Sequence, residues 1–183
     1  MLKLFVISGA IVLADQISKK FISETLKLGE AIEITSFFDI IYVHNTGAAF
    51  SFLANAGGWQ RYFLALVSLI VSIALPFYIR KNQHNKLLAF GLTLILGGAI
   101  GNLIDRLLHG YVIDFISLHM DNIFYWPAFN VADSSITIGA AFIIFDSFIK
   151  KSTHKAKSMY ALDMDSWKIF RFVCFCNMIL DNE

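Results

Sequence analysis

The stretch LLAFGLTLILGGAIGNLI, residues 87–104, contains 18 residues and no charged side chain. As an α-helix it would be about 27 Å long at roughly 1.5 Å per residue, which is close to the thickness of a bilayer core. A second uncharged stretch of the same length runs from Tyr62 to Ile79. The two stretches predict membrane-spanning helices and place the chain among the membrane proteins.

The composition agrees with this class. Of the 183 residues, 57% are apolar and only 16% are charged, whereas a soluble domain carries about 25% charged residues. The net charge of +1 gives no indication of a nucleic-acid partner. The two cysteines, Cys174 and Cys176, provide neither a disulfide framework nor, by themselves, a metal site. The redox compartment therefore stays undetermined.

Two weaker candidate segments, Leu4–Ile22 and Val131–Ile149, include charged residues. An Asp in the middle of a helix costs about 2.5–3.5 kcal/mol to insert, but the cost falls near a helix end that reaches water. A cleaved signal peptide is the alternative for the first segment, although LADQISKKF is a poor small-residue cleavage site. We therefore predict four transmembrane helices, at about residues 3–22, 60–79, 86–106 and 131–149.

The distribution of basic residues orients these helices. The connection 80–86 contains Arg80, Lys81 and Lys86, and four lysines follow the fourth helix. By contrast, the connection 23–58 has one lysine and the connection 107–129 has no Lys or Arg. The positive-inside rule therefore predicts a polytopic α-helical membrane protein with both termini in the cytoplasm and these last two connections outside.

This orientation brings polar groups of three helices to one membrane face. The residues at the outer helix ends are Asp15, Lys19, Asn102, Asp105, Arg106 and Asp133. Asp146 falls at the opposite face, where Lys150 at i+4 predicts a simple ion pair.

The outer connections have features of β structure. The segment IEITSFFDIIYVHNTGAAFSFL, residues 32–53, is rich in β-branched and aromatic residues and contains the turn sequence HNTG. We predict a small β element there, on the outer (periplasmic) surface. A short apolar strand is expected at Val112–Ile116, and Tyr125 and Trp126 suit the headgroup level.

The motif GGAIGNLIDR, residues 97–106, combines small and polar residues. Gly97 and Gly101 are four residues apart, so they share a helix face and allow another helix to approach closely. Asn102, Asp105 and Arg106 form a polar patch at the helix end. The spacing alone does not distinguish a functional role for this patch from a structural one. In DQISK, residues 15–19, the simplest role of the Asp–Lys pair is to neutralise two charges for insertion.

Two further motifs each carry a carboxylate on the outer side: VIDF, residues 112–115, and NVAD, residues 130–133. Taken singly, Asp114 is a solvated loop acid and Asp133 is a helix cap. Together they supply what aspartyl peptide hydrolysis requires, two carboxylates that share one proton. Spacing alone does not show that they meet. We expect no metal and no nucleotide cofactor, because the sequence has no H-E-x-x-H and no P-loop.

Five motifs in order, DQISK, NTGAAFS, GGAIGNLIDR, VIDF and FNVADSSITIG, resemble the bacterial lipoprotein signal peptidases (signal peptidase II) over about residues 2–150. The resemblance implies a four-helix aspartic protease of the inner membrane. Its expected substrates are diacylglyceryl-modified prolipoproteins, cut before the lipidated cysteine, and membrane phospholipid is the other expected partner. We expect a monomer without a nucleic-acid partner.

The resemblance also implies roles for individual residues. Asp114 and Asp133 match the catalytic pair, one ionised to activate water and one protonated to polarise the carbonyl. The residues that match the substrate site are Asn45, Asn102, Arg106 and Asn130. Asp15 and Lys19 match a structural pair, which Asp105 is expected to support.

Two alternative functions and one departure from the family pattern remain. A proton-coupled carrier also has intramembrane carboxylates, but it usually needs them near the midplane with access to both faces. A non-catalytic assembly protein would use the same polar helix ends for packing.

The chain departs from the family pattern after residues 1–150. A basic flank and tail continue over 151–183, whereas family members usually end soon after the fourth helix and its basic flank. Within this tail Trp167–Leu180 has 14 residues and is too short to span the membrane.

Overall fold

The computed structural model describes residues 2–46, 59–120 and 124–154. Within these ranges the chain forms four helices and four strands. The helices are α1 Leu2–Thr25, α2 Trp59–Lys81, α3 Lys86–Leu108 and α4 Val131–His154. The strands are β1 Ala31–Thr35, β2 Phe38–Asn45, β3 Val112–Met120 and β4 Phe124–Tyr125. The prediction of four helices and a small sheet is confirmed.

Helix α3 is the centre of the bundle, because it packs against each of the other three helices. Its small residues allow this close packing. Gly97 lies against Ile11 of α1, and Gly101 lies against the carboxylate of Asp15, as the glycine spacing predicted. Ile79, Leu92 and Ile143, which are among the largest fully buried side chains in the described residues, come from three different helices.

Among the residues that the structure describes, three helices are long and apolar enough to cross a membrane: Arg61–Lys81, Lys86–Leu108 and Val131–Lys150. Helix α1 carries more charge, but Asp15 and Lys19 are buried against α3. The apolar side chains of α1, such as Leu13, Ile17 and Phe21, are exposed instead. The lipid therefore meets an apolar surface on α1 as well, which explains how this helix completes the bundle despite its charges.

All four helices are longer than predicted: α1 and α2 are extended at both ends, and α3 and α4 are extended at their C-terminal ends. The physical reason is that backbone hydrogen bonding continues after the apolar run has ended. In α2, for example, the last turn contains Arg80 and Lys81. Hydropathy identifies only the apolar segment that crosses the hydrocarbon layer, whereas the helix continues into the polar interface.

The strands form one antiparallel sheet in the order β1-β2-β3-β4. In the pairing of β2 with β3, Asn45 lies opposite Val112 and Val43 lies opposite Asp114. The register shifts between Ile40 and Val43, so β2 bends at this point. The sheet is attached to the helix bundle by a small apolar cluster formed by Ile22, Leu26 and Phe115.

Parts of two predictions fall on residues that the structure does not describe. The β element predicted at 32–53 begins as expected, but its portion from residue 47 onward is outside the described ranges. The tail from residue 155 onward, with Cys174 and Cys176, is also outside them. The strand predicted at Val112–Ile116 is present and extends to Met120, where it pairs with β4.

The contact between α3 and α4 leads to a prediction about Gly98. A methyl group at this position would overlap the carbonyl oxygen of Ala132 and the side chain of Ser135. We expect Gly98→Ala to lower the free energy of unfolding by about 1–3 kcal/mol, the usual range for overpacking a tight interface. The measurement is the thermal unfolding of the purified protein in one detergent.

The matched control is Gly9→Ala in α1, where an added methyl group meets no atom within 4 Å. Alanine is the better helix former by about 1 kcal/mol, so this variant should be as stable as the wild type or slightly more stable. Equal stability of the two variants would show that α3 and α4 do not pack as closely as described.

Candidate active site

The two aspartates of the motifs VIDF and NVAD lie on different elements that meet at one end of the bundle. Asp114 is near the start of β3, and its side chain is only 1% exposed. Asp133 is in the first turn of α4, where it is partly exposed and lines a cavity. One acid is therefore enclosed, while the other is accessible to a small molecule in the cavity.

Asn130 connects the two carboxylates. Its side-chain Oδ1 accepts the N–H of Asp133 at 2.9 Å, and Asp133 Oδ2 accepts the N–H of Asn130 at 3.2 Å. This reciprocal arrangement is a capping box at the start of α4. The remaining polar atom of the side chain, Nδ2, donates to Asp114 Oδ1 at 2.6 Å. A single residue thus fixes one oxygen of each aspartate.

Two other asparagines hold the remaining carboxylate oxygens. Asn45 Nδ2 donates to Asp114 Oδ2 at 2.9 Å, and Asn102 Nδ2 donates to Asp133 Oδ1 at 2.7 Å. All four oxygens of the pair therefore accept a hydrogen bond. The structure brings together the predicted residues Asn45, Asn102 and Asn130 with both acids.

Arg106 lies in the wall of the same cavity and is 8% exposed. Its Nη1 donates a long hydrogen bond of 3.4 Å to the carbonyl oxygen of Asn102. The carboxylates of Asp133, Asp114 and Asp105 are close enough to interact with its charge. Arg106 is therefore a buried cation at the edge of an acidic site.

The predicted supporting residues form a buried ion cluster behind Asn102. Lys19 Nζ lies 2.8 Å from Asp15 Oδ2 and 2.9 Å from Asp105 Oδ2. Sequence reasoning missed Gln16, whose Nε2 donates to Asp105 Oδ1 at 2.8 Å and to the carbonyl oxygen of Gly101 at 3.1 Å. Its position inside DQISK, next to an acid in an otherwise apolar helix, was the available signal.

The cavity has a volume of about 410 Å³. Its polar lining includes Asn45, Asn102, Arg106 and Asp133, and the remaining wall is mainly apolar. The large apolar side chains of this wall are Val112, Leu118, Trp126, Phe129 and Ile138. Sequence analysis placed Trp126 at the headgroup level and did not connect it with the acids. The arrangement offers the carboxylate of Asp133, with Asp114 behind the wall, to a ligand that is itself largely apolar.

The family model described as Signal peptidase (SPase) II matches residues 7–149. The chain belongs to the signal peptidase II family. It is 50% identical over 147 residues to the lipoprotein signal peptidase of Teredinibacter turnerae, covering 80% of this chain and 87% of that protein. The corresponding protein of Alteromonas mediterranea is 48% identical over 143 residues, which is 78% of each chain.

Solved structures agree with this membership. A bacterial membrane enzyme determined by the in meso method at 2.3 Å resolution has a TM-score of 0.73 and 32% identity, covering 88% of this chain and 96% of that one. A second such enzyme, determined at 1.9 Å resolution, has a TM-score of 0.69 and 35% identity, covering 79% and 92%. These matches confirm the fold of a multi-pass bacterial membrane enzyme.

Membership of the signal peptidase II family confirms the predicted enzyme class, an aspartic peptidase of bacterial membranes. It also decides against the carrier and the assembly protein, the two alternatives that the sequence left open. In the described part of this peptidase, no three His, Cys, Asp or Glu side chains are grouped so that they would hold a metal ion.

The electrostatic environment gives Asp114 an unusual pKa. Burial raises the pKa of Asp114 from its ordinary value of 3.8 to about 8, and the nearby charge of Asp133 adds to this increase. Hydrogen bonds from Asn45 and Asn130 oppose the increase but do not cancel it. The raised pKa favours the protonated form of Asp114, which is the form that can donate a proton.

This pKa predicts how the stability of the peptidase depends on pH. Because the folded state holds the Asp114 proton more tightly than the unfolded state, the free energy of unfolding falls as the pH rises from about 4 to about 8. Asn cannot ionise, so Asp114→Asn escapes this loss. We expect the Tm of the variant, relative to wild type, to be higher at pH 9 than at pH 5. An equal Tm difference between variant and wild type at both pH values would contradict the raised pKa of Asp114.

Proposed function

We propose that this signal peptidase II, which removes signal peptides from prolipoproteins, does so by water attack on a carbonyl held between Asp114 and Asp133. The observation that supports this most strongly is the position of Asn130, which donates to both carboxylates, one of which, Asp133, lines a cavity. Two acids fixed in this way can divide the roles of base and acid. The proposal assigns the peptidase to residues 1–150 and leaves the tail 151–183 without a role.

In the proposed reaction Asp133 is the ionised member of the pair. Three features favour its negative charge: the N-terminal end of α4, the N–H of Asn130 and the amide of Asn102. Asp133 also lines the cavity, where a water molecule has access to it. Asp114 is the protonated member because it is enclosed and its pKa is about 8.

The chemistry proceeds in two steps. In the first, water attacks the scissile carbonyl carbon, Asp133 takes a proton from the water, and Asp114 gives its proton to the carbonyl oxygen. In the second, the tetrahedral intermediate collapses, the C–N bond breaks, and the proton on Asp133 passes to the leaving nitrogen. Asp114 recovers its proton from the hydroxyl group as the new carboxylic acid forms. Neither step needs a cofactor.

The cavity suggests how the substrate is held. We propose that the apolar wall around Leu118, Trp126 and Phe129 accommodates the diacylglyceryl group or the adjoining apolar side chains of the signal peptide. Arg106 and Asn45 supply hydrogen-bond donors for carbonyl oxygens of the substrate or for phospholipid. The proposed working unit is a monomer.

The proposed location of the site is the outer, periplasmic face of the inner membrane. Support comes from the arrangement of the helices, because the sheet and both acids lie at the end opposite Lys81 and Lys86. By the positive-inside rule this basic end is cytoplasmic, and so are both termini.

Reporter fusions test this orientation. A reporter fused after Lys157 should be active only as a cytoplasmic reporter, because lysines cluster before this position. A reporter fused within the connection 107–129, which has no Lys or Arg, should be active only outside. The reverse pattern would place both acids on the cytoplasmic side and contradict the proposal.

The proposed reaction is tested by incubating the purified protein with a diacylglyceryl-modified prolipoprotein peptide. Mass spectrometry should find a product that begins with the lipidated cysteine and a second product that ends in the residue before it. Cleavage at another bond, or an intact peptide, would exclude this substrate.

A further inference from the structure

Lys19 has more partners than membrane insertion requires. It is 2% exposed, and its Nζ contacts Asp15 Oδ2, Asp105 Oδ2 and the amide oxygen Oδ1 of Asn102, the last at 3.0 Å. Neutralising the charge of Lys19 would need only Asp15, one turn away on the same helix. The contact with Asn102 therefore calls for a different explanation.

A pair with the same spacing at the other end of the bundle shows the difference. Asp146 and Lys150 of α4 are also four residues apart, with an N–O distance of 3.0 Å. Lys150 is 41% exposed, and Asp146 also accepts a hydrogen bond from Asn85 at the start of α3. This second pair is an ordinary ion pair near a helix end, and its partners are remote from Asp114 and Asp133.

All three partners of Lys19 lead to the proposed catalytic pair. Asn102 donates to Asp133 directly. Asp15 Oδ1 accepts the backbone N–H of Ala132 at 2.9 Å, next to Asp133 in sequence. The other acid, Asp105, accepts the backbone N–H of Ile113 at 3.1 Å through Oδ2, next to Asp114 in sequence. Lys19 is thus at the centre of a cluster that holds the backbone beside each aspartate.

The contact with Asn102 also determines which way its amide group points. An ammonium group has three donors and no acceptor, so Asn102 must present its oxygen to Lys19. Its NH₂ group is then directed at the carboxylate of Asp133. The flipped amide would place NH₂ against the ammonium group and oxygen against the carboxylate, two repulsive contacts in a buried site.

We propose that Lys19 is a positioning residue for catalysis: acting through Asn102, it orients Asp133 and favours its ionised form. The inference rests on the proposed function of Asp133 as the base. It assigns to Lys19 an effect on the rate of the chemical step, beyond the neutralisation of charge that insertion of α1 requires.

The charge of Lys19 should also appear in the pH dependence of the reaction. The charged or titratable groups that face this cluster from the packed elements are Asp15 on α1, Asp105 and Arg106 on α3, Asp114 on β3 and Asp133 on α4. Replacing Lys19 by Met removes a cation near Asp133 while Arg106 remains. Protonation of the base then occurs at a higher pH, so kcat should be lost at a higher pH on the acid side of the profile.

The experiment compares Lys19→Met and the charge-balanced Asp15→Asn/Lys19→Met with wild type on the lipidated peptide. The double variant keeps an oxygen for the Ala132 N–H and leaves fewer unpaired buried charges. We expect kcat per folded molecule to fall by about 10- to 100-fold, the loss typical of a misplaced catalytic group. KM should change little, and the acid side of the pH profile should move upward in both variants. Lys150→Met, the matched control, should leave kcat and the profile unchanged.

A double-mutant cycle tests the route through Asn102. If Lys19 acts through this amide, Asn102→Ala should lower kcat at least as much as Lys19→Met, and combining the two should add little. If the losses of kcat in Lys19→Met and Asn102→Ala were fully additive, Lys19 would not act through Asn102. Wild-type kcat and an unchanged pH profile in folded Asp15→Asn/Lys19→Met would overturn the proposal and leave Lys19 as a neutralising residue. If neither Lys19 variant folds, Asn102→Ala tests the route by itself: an unchanged kcat and pH profile in the folded variant would overturn the proposal, because Lys19 is proposed to act through this amide.

The same assay separates this inference from the proposed function. Wild-type protein and Asp133→Asn are measured in parallel. Activity in Asp133→Asn would contradict the assignment of the base itself, whereas an inactive Asp133→Asn beside a fully active Lys19 variant would contradict only the role of Lys19.

Discussion

Asp114→Asn and Asp133→Asn should each lower the rate of peptide cleavage by at least about 10⁴-fold, as is usual when one member of a catalytic unit is removed. Asn occupies almost the same volume as Asp, but it can neither take a proton from water nor donate an acidic proton. The amide oxygen of Asn can still accept the hydrogen bond that Asn130 donates to each aspartate, so both variants should fold. The measurement is a single-turnover rate on lipidated peptide, with Tm as the check of folding.

The double variant should be scarcely slower than either single variant, because residues that act as a unit are strongly non-additive. Asp146→Asn is the matched control. It removes another buried acid of α4, but one whose partners Asn85 and Lys150 lie at the opposite end of the bundle. This control should retain nearly the wild-type rate. Substantial turnover by a folded Asp114 or Asp133 variant would remove that residue from the pair.

The second large effect concerns the lipid on the substrate. We expect a peptide with an unmodified cysteine to be cleaved at least about 100-fold more slowly than the lipidated peptide. The net burial of about four methylene groups, at roughly 0.8 kcal/mol each, corresponds to such a change in rate. The bilayer already binds most of the acyl chain, so only the part transferred into the site contributes. The apolar cavity wall is the surface that would receive it.

Both peptides must be fully inserted in the same nanodisc preparation, so that partitioning into the membrane does not produce the difference. Arg106→Ala should slow cleavage of the lipidated peptide without preventing insertion of the protein, because the guanidinium lines the cavity. Equal rates for the two peptides would mean that the site recognises only the peptide, and the inferred specificity for lipoproteins would be wrong.

Much of the fold could be predicted because only a few kinds of backbone structure can cross a bilayer. Uncharged runs such as residues 87–104 must be helical, since no water is available to bind their backbone groups. Helix α1 was predictable despite Asp15 and Lys19 because the two charges are one turn apart and near a helix end. The helix ends were predicted less well, since backbone hydrogen bonding continues into the interface where hydropathy carries no signal.

The site was predictable as a set of residues but not as a geometry. Local patterns could not show that Asp114 meets Asp133, because their meeting depends on the pairing of β2 with β3 and on Asn130 at the start of α4. The apolar wall of the cavity was missed for the same reason. Its residues, such as Leu118 and Trp126, are close to the polar motifs in the sequence but carry no pattern that distinguishes them from other apolar residues, and they come together only when the sheet packs on the bundle.

The most direct test of the account is a structure with a transition-state analogue. The ligand would be a lipidated peptide in which a hydroxyl-bearing tetrahedral carbon replaces the scissile carbonyl carbon. If the two acids flank the reacting carbon, the hydroxyl group will lie within about 3 Å of a carboxylate oxygen of both Asp114 and Asp133, which is hydrogen-bond distance. A ligand whose hydroxyl group contacts only one of the two aspartates, or neither, would contradict the account.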